Sequence, residues 1–338
     1  MPELFHAVYG RGLVQELPAI AHRPYLVVTM EDLWSTFEPL LSKGRGDVHI
    51  VETLQRSRLD SIADELPPHA SVIGLGGGRA LDVAKYLVWR RPVPLFLVPT
   101  STSVNAAFGQ RAAVREEGLI RYVGWSVPEA VYVDFDVIRA APADLNRSGV
   151  GDIFCYHTAH WDWAMANERG LTEPRWPYRR EQVDEARTVL DRVLAAVDEI
   201  HAVSDEGIRT LMEAHRWGGA AFNNAGWNPR PIEGAEHFVF YSLEEVTGKA
   251  FIHGQAVCLG ILLMSALQEN DPEGIRKAID RVGVGYRPED MGVTWDDVAR
   301  ALRQLPEYVQ RAGLWYTVAS DRPITEKFID YTREWLSS

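Results

Sequence analysis

Several features are scarce in this chain of 338 residues, and each scarcity excludes something. There are only two cysteines, Cys155 and Cys258. Two thiols rule out a disulfide framework and a zinc knuckle. Each sits in an apolar run, as expected of buried thiols in a reducing compartment. Positive charge is in deficit, with 35 Lys and Arg against 47 Asp and Glu and a net charge of −12. Such a surface repels phosphate backbones, which argues against a nucleic-acid partner yet leaves room for a local basic pocket. Long apolar runs are missing too. The longest, Ala256 to Leu267, has 12 residues, whereas a helix spanning a bilayer needs ~20. The N-terminus, Met1-Pro2-Glu3-Leu4-Phe5-His6, has neither the basic nor the apolar stretch of a signal peptide. A soluble, cytoplasmic protein without membrane insertion is expected. What is present is ordinary globular material, 46% hydrophobic and 24% charged. At roughly 150 residues per domain the length suggests about two domains, each able to bury a core.

The first 140 or so residues alternate between two textures. Short β-rich runs occur at Tyr25–Met30, Val48–Val51, Ser71–Gly74, Leu95–Val98 and Val131–Asp134, and the first four start 23, 23 and 24 residues apart. Most are apolar throughout, as strands covered on both faces are. One helix-like segment fills each gap: Trp34–Ser42, Arg58–Leu66 and Arg79–Arg90. That rhythm predicts βαβ units and an open, mostly parallel sheet. The stretch Ala106–Pro128 is either a hairpin or an excursion at the sheet edge. After Asp136 strand signals nearly vanish. Val183, Ala186, Val189, Leu190, Val193, Leu194, Val197 and Ile200 make one apolar stripe at helical spacing. Further helices are predicted over Ile153–Ala166, Glu206–Phe222, Glu236–Val246, Gln255–Leu267, Gly274–Val282 and Asp296–Leu305, with Pro306 as a stop. The fold class is thus an α/β N-terminal domain over residues 1–145 and an all-α C-terminal domain over 146–338, with no internal repeat.

Two turns stand out in the first half. Strand Ser71–Gly74 runs into Gly74-Leu75-Gly76-Gly77-Gly78-Arg79 and then a helix. Glycines let backbone approach a ligand closely, and a helix N-terminus offers bare N–H groups and positive dipole, so the pair favours a phosphate or pyrophosphate. It departs from the G-x-G-x-x-G fingerprint, whose sixth position is Arg79 here, and it follows the third strand rather than the first. The competing explanation is a plain tight turn. The neighbouring strand ends in Pro99-Thr100-Ser101-Thr102-Ser103, a run of hydroxyls on the same rim, where open α/β sheets bind ligands.

The second half holds candidate metal ligands. Asp152 precedes an apolar helix, and on position alone the better reading is an N-cap. His237 follows Glu233-Gly234-Ala235-Glu236, and His253 lies 16 residues further on. Thr247-Gly248 ends one helix between them, so two helices packed as a hairpin bring both imidazoles to one point. One carboxylate and two imidazoles leave a coordination position open, as in a catalytic zinc site. His157 and His160 compete as ligands.

Taken together, Gly74-Leu75-Gly76-Gly77-Gly78-Arg79-Ala80-Leu81-Asp82-Val83-Ala84-Lys85, Val98-Pro99-Thr100-Ser101, Gly149-Val150-Gly151-Asp152, and Gly234-Ala235-Glu236-His237 with His253-Gly254 make a set that resembles the metal-dependent polyol dehydrogenases. That family includes glycerol dehydrogenase, glycerol-1-phosphate dehydrogenase and iron-containing alcohol dehydrogenases, with dehydroquinate synthase as a relative. The glycerol-1-phosphate branch is the most similar, through Ser148–Ile153, Thr158-Ala159 and Asp162-Trp163. The resemblance implies a dehydroquinate synthase-like fold, with NAD or NADP on the first domain, a divalent metal on the second, and both meeting substrate in a cleft. It places the diphosphate on Gly76, Gly77 and Gly78, the nicotinamide near Asp82, the cofactor phosphates near Thr100 and Ser101, and the metal on Asp152, His237 and His253. Zinc is expected before iron because no further His follows His253. A homo-oligomer is expected from the family alone.

Three positions depart from the family pattern. Asn105 stands where many members have a substrate-touching Asp. Cys155-Tyr156 stands where the phosphate-linked branch has Lys, and Gln255 where Glu is usual. Arg230 is a candidate replacement cation for a substrate phosphate, against the plainer reading of an exposed loop arginine. Glu31 and Asp32, beyond the first predicted strand, are placed to bond a ribose hydroxyl, which would favour NAD. The implied activity is hydride transfer between NAD(P) and a small polyol, its ketone or a phosphorylated form, with the metal polarising the substrate oxygen. The alternatives are a lyase or cyclase of the dehydroquinate synthase type, which would need more Lys around the ligands, and a binding protein without catalysis.

Overall fold

The computed structural model describes residues 5–224 and 228–337. The chain divides between Pro142 and Ala143 into two compact units.

The first unit is built on a six-stranded parallel sheet in the order β1-β8-β5-β4-β2-β3. Its strands are β1 (Ala7–Gly10), β2 (Tyr25–Thr29), β3 (Arg45–Ile50), β4 (Ser71–Gly76), β5 (Leu95–Pro99) and β8 (Ala130–Asp134). The intervening Ala106–Pro128 stretch holds an antiparallel hairpin of β6 (Ala112–Glu116) and β7 (Leu119–Val123). The helices are α1 (Leu17–Ile20), α2 (Glu31–Leu41), α3 (Arg56–Glu65), α4 (Gly78–Arg90) and α5 (Phe135–Ala140). Strands β2, β4, β5 and β8 are buried along their whole length, which explains their unbroken apolar runs. Strand β1 was not expected. It has four half-buried residues at the sheet edge, too short to register as an apolar run. It makes the glycine turn follow the fourth strand. Strand β2 lies beside β4, yet β3 continues the sheet on one side and β5 on the other. That is a topological switch point, and the carboxyl ends of β2 and β4 flank it.

The second unit contains no strand among the described residues. Its helices are α6 (Ala143–Ser148), α7 (Gly151–Phe154), α8 (Tyr156–Glu168), α9 (Arg180–Ala195), α10 (Val197–His201), α11 (Asp205–Asn224), α12 (Ala235–Thr247), α13 (His253–Gln268), α14 (Pro272–Val282), α15 (Trp295–Ala312), α16 (Val318–Asp321) and α17 (Glu326–Ser337). Three expectations are corrected. The single helix over Ile153–Ala166 is interrupted at Cys155, whose carbonyl accepts a bond from Thr158 Oγ1 at 3.1 Å. The same carbonyl also accepts the backbone N–H groups of Thr158 and Ala159, at 3.1 and 2.8 Å. The stripe Val183–Ile200 belongs to two helices, α9 and α10, that meet at Ala196. Pro306 does not stop α15, which runs on to Ala312. A proline inside a helix costs about 3 kcal/mol. Here Leu302, Leu305, Tyr308 and Val309 continue one buried face past it, and a Thr294–Asp297 capping box and Gly313 close the ends.

Candidate functional site

In the first unit the glycine turn sits on the rim of β4, at the switch point. Gly76 pairs with Pro99 across β4 and β5, and Thr100 N donates to Gly76 O at 3.1 Å, so the glycine and hydroxyl turns are held side by side. Gly76 has φ +150°, and a Cβ there would stand 2.8 Å from the Ala80 Cβ. Gly77 is the N-cap of α4, without a side-chain cap, and nothing among the described residues lies within 4 Å of where its Cβ would stand. Bare N–H groups at a helix start, with open space before them, fit a diphosphate. Ser101 and Ser103 hydroxyls bond at 2.9 Å, and Thr100 and Ser101 are buried at the same turn. Asn105 begins a short 3-10 helix, Asn105–Phe108, and is half-buried.

Asp82 lies one turn into α4. It is buried against Lys85, with Oδ1 2.8 Å from Nζ. Burial raises its pKa, opposed by the Lys85 charge. Lys85 is 1% exposed and donates to the carbonyls of Ala106, Gly109 and Arg111 at 2.9, 3.0 and 2.7 Å. It ties the glycine-turn helix to the segment that begins with Asn105. The sequence motif contains Lys85, but nothing in its apolar helical surroundings signals this role.

In the second unit, Asp152, His237 and His253 converge. One donor atom of each lies within 4.8 Å of the others. His253 Nε2 stands 2.9 Å from Asp152 Oδ1, His237 Nε2 stands 3.7 Å from the same oxygen, and the two imidazole centroids are 5.2 Å apart. Glycines permit the approach. A Cβ on Gly254 would stand 1.7 Å from Ser148 O, and one on Gly151 would stand 2.8 Å from the Gly254 Cα. Backbone-to-backbone contact therefore brings the start of α13, which carries His253, onto α7, which carries Asp152. Helix α12, with His237 in its first turn, packs on α13. Asp152 is not an N-cap: that position belongs to Val150, and no side chain caps α7.

The donor set fits a divalent ion. Burial disfavours the Asp152 carboxylate, but His253 and His237 hold its pKa well below the usual range. Burial lowers the His237 pKa, and bonds to Asp152 and Glu236 outweigh that and lift it to about 10. His215, fully buried on α11, adds to the positive field on Asp152. Opposite charges at such short range are the arrangement a cation replaces when it displaces protons from its ligands. Three protein donors of O and N type leave a position open for a substrate oxygen.

Glu236 was missed as a functional residue. It is fully buried, and its Oε1 lies 3.0 Å from His237 Nδ1 and accepts Gly234 N at 2.6 Å. Its Oε2 accepts Thr158 Oγ1 at 2.7 Å. A carboxylate on Nδ1 presents Nε2 as the lone-pair atom and holds the ring plane. Its place beside His237 was visible in the sequence, but not which way its carboxylate turns. Glu236→Gln should lower metal affinity by about 10- to 100-fold with little change in far-UV circular dichroism. Metal content after dialysis against a graded chelator checks this, and unchanged retention would remove Glu236 from the site.

The other candidates are engaged elsewhere. His160 Nε2 lies 3.0 Å from Pro231 O, and burial drives its pKa to about 3. His157 Nε2 lies 2.6 Å from Asn270 O. Arg230 is no exposed loop residue. It is 1% exposed, lies 3.1 Å from Glu173 Oε2, and donates to Tyr316 O at 2.7 Å. Gln255 and Cys155, at two positions that depart from the family pattern, are both buried, and Cys155 Sγ donates to Ile232 O at 3.0 Å. No helix among the described residues is long and apolar enough to cross a membrane.

Comparison with known proteins places the chain by similarity. Residues 35–142 match the iron-containing alcohol dehydrogenase family. The chain is 33% identical over 317 residues to a glycerol-1-phosphate dehydrogenase [NAD(P)+] from Thermofilum pendens, covering 90% of each chain. Among solved structures, a probable glycerol dehydrogenase from Sinorhizobium meliloti superposes with a TM-score of 0.74 at 20% identity, over 98% of this chain and 96% of that one. A 2-epi-5-epi-valiolone synthase from Streptomyces hygroscopicus, with NAD+ and Zn2+ bound, superposes with a TM-score of 0.68 at 16% identity, over 98% and 96%. Those two likenesses establish the fold, and the identity to the Thermofilum pendens enzyme over nine-tenths of both sequences establishes more: this chain belongs to the metal-dependent polyol dehydrogenase family, alongside glycerol-1-phosphate dehydrogenases, glycerol dehydrogenases and iron-containing alcohol dehydrogenases.

Proposed function

We propose that this protein is a metal-dependent oxidoreductase that transfers hydride between NAD(P) and a small polyol or polyol phosphate, most like glycerol-1-phosphate dehydrogenase. The observation that carries the reading is the convergence of Asp152, His237 and His253 in a chain whose first unit sets Gly76, Gly77 and Gly78 at a sheet switch point. When bound, a divalent metal supplies Lewis acidity to the substrate oxygen, and the nicotinamide supplies the hydride carrier.

The protein's own residues supply position and charge. Asp152, His237 and His253 hold the metal, with Glu236 fixing the His237 ring. The glycine turn receives the diphosphate, and Thr100 and Ser101 offer hydroxyls beside it. Lys85 holds the backbone around Asn105, which is assigned to the substrate. Arg230 would contact a substrate phosphate only by exchanging Glu173 for it. The two-imidazole, one-carboxylate set suits zinc or iron, and zinc is placed first because no further His follows His253. A homo-oligomer is proposed on family membership alone, and cytoplasmic operation on two free, buried thiols.

Metal analysis of protein purified without added metal, paired with an NAD(P)+ panel of polyols and their phosphates, tests the reading. We expect about one divalent ion per chain and steady NAD(P)H accumulation with glycerol 1-phosphate. Chelation should stop it and added Zn2+ restore it. A cyclase would show no net NADH, and absence of turnover across the whole panel would overturn the dehydrogenase assignment.

A further inference from the structure

Arg79 stands in the first turn of α4, immediately after the glycine turn. Its Nη2 donates to the backbone carbonyl of Glu52 at 3.0 Å. Glu52 lies just beyond the end of β3, and α4 begins just beyond β4. The sheet order places β2 between those two strands. The Arg79 side chain therefore crosses the carboxyl end of β2, on one flank of the switch point. In doubly wound sheets the adenosine ribose of a dinucleotide lies over the strand next to the one carrying the diphosphate turn, and a charged residue there reads its 2′ position.

Charge at this edge is divided. Glu31 and Asp32 open α2 directly after β2, and both are exposed. Carboxylates suit a ribose hydroxyl and repel a 2′-phosphate. Among Met30–Asp32, Glu52–Gln55 and Gly77–Arg79, the residues that follow β2, β3 and β4, Arg79 is the one cation. It is exposed, and among the described residues it has no carboxylate partner; its Nη2 bonds to a neutral carbonyl. The rest of the guanidinium is free to meet an anion, and its planar fork matches a phosphate.

We propose that Arg79 reads the adenosine ribose and is the residue through which this chain accepts NADP(H) as well as NAD(H). The proposal rests on the dinucleotide reading above. It places the 2′-phosphate on the guanidinium, over the end of β2. With NAD(H), the ribose hydroxyls face Glu31 and Asp32 instead, and Arg79 keeps its bond to Glu52.

Direct binding separates this proposal from the reading beneath it. Dissociation constants for NADPH and NADH are measured by titration calorimetry on the full-length, metal-loaded protein, in the wild type and in Arg79→Gln. Adenosine 2′,5′-bisphosphate serves as a probe without the nicotinamide end. A charge-assisted contact predicts NADPH affinity falling on the order of tenfold or more. The bisphosphate should fall in parallel, and NADH should stay within about twofold. An equal loss for both dinucleotides would move Arg79 to the shared diphosphate and overturn the proposal. So would no loss for either, or a wild type that binds NADH and rejects NADPH. A wild type that binds neither dinucleotide would overturn the dinucleotide reading itself and this proposal with it. Arg79 is an exposed side chain, so the variant should melt within a degree or two of the wild type.

Discussion

His253→Ala is expected to abolish turnover and strip the metal, while the protein stays folded and still binds NAD(P)H. The reason is the position of the side chain. His253 sits in the first turn of α13, 23% exposed, with Nε2 2.9 Å from Asp152 Oδ1. Its removal costs an edge-on contact with Phe240 at 4.8 Å between centroids, worth about 1 kcal/mol. It also takes the 2.9 Å partner from the buried Asp152 carboxylate, which keeps His237 Nε2 at 3.7 Å. On the proposed assignment two ligands would then remain of three, and the Lewis acid that would stabilise developing charge would be lost. That loss amounts to several kcal/mol, or about 10³-fold in rate. Three measurements check the prediction: turnover with glycerol 1-phosphate, metal per chain by elemental analysis, and NADH titration. Unchanged turnover would refute the ligand assignment. Lost turnover with full metal occupancy would move His253 from the metal to the substrate.

Lys85→Met is expected to destabilise the first unit by about 3–5 kcal/mol, the usual consequence of leaving one member of a buried ion pair alone. The ammonium is 1% exposed, and its partners are Asp82 and three backbone carbonyls. Methionine keeps an unbranched side chain, one atom shorter, and leaves Asp82 and those carbonyls facing an apolar tip. At roughly 2–4 °C per kcal/mol for units of this size, the melting temperature should drop by about 10 °C. Adding Asp82→Asn to Lys85→Met should recover part of the loss, because the stranded charge is then gone. A drop under about 2 °C, or no recovery in the double variant, would show that the pair does not hold the segment beginning at Asn105. Calorimetry on the full chain reports both.

Most of the sheet was legible because its central strands are covered on both faces. Burial on both sides forces consecutive apolar residues, and Tyr25–Thr29, Leu95–Pro99 and Ala130–Asp134 show it. The edges were harder to read. Ala7–Gly10 is half-buried and four residues long, and β3 carries polar residues along half its length. Helix ends were misread where a local rule lost to packing. Pro306 signals a stop, yet the apolar stripe on both sides of it keeps α15 intact. Asp152 looks like a cap because Asp is common there, but its carboxylate faces imidazoles that lie 85 and 101 residues away along the chain.

By itself the sequence determined the kind of fold this is, an α/β region on a parallel sheet followed by a helical region, with a glycine turn on a strand end, and it offered a short set of candidate metal-binding residues. These follow from local composition and period, which depend on neighbours a few residues apart. Tertiary structure alone decided which candidates meet. His157 and His160 lie nearer to Asp152 in the chain than either partner, but their ring nitrogens face backbone carbonyls. Only the contact of Gly151 with Gly254 and the packing of α12 on α13 bring Asp152, His237 and His253 together. The same holds for Arg79, whose reach across β2 exists because strand order in space differs from strand order in sequence. Convergence is a property of packing between distant segments, and no spacing along one chain encodes it.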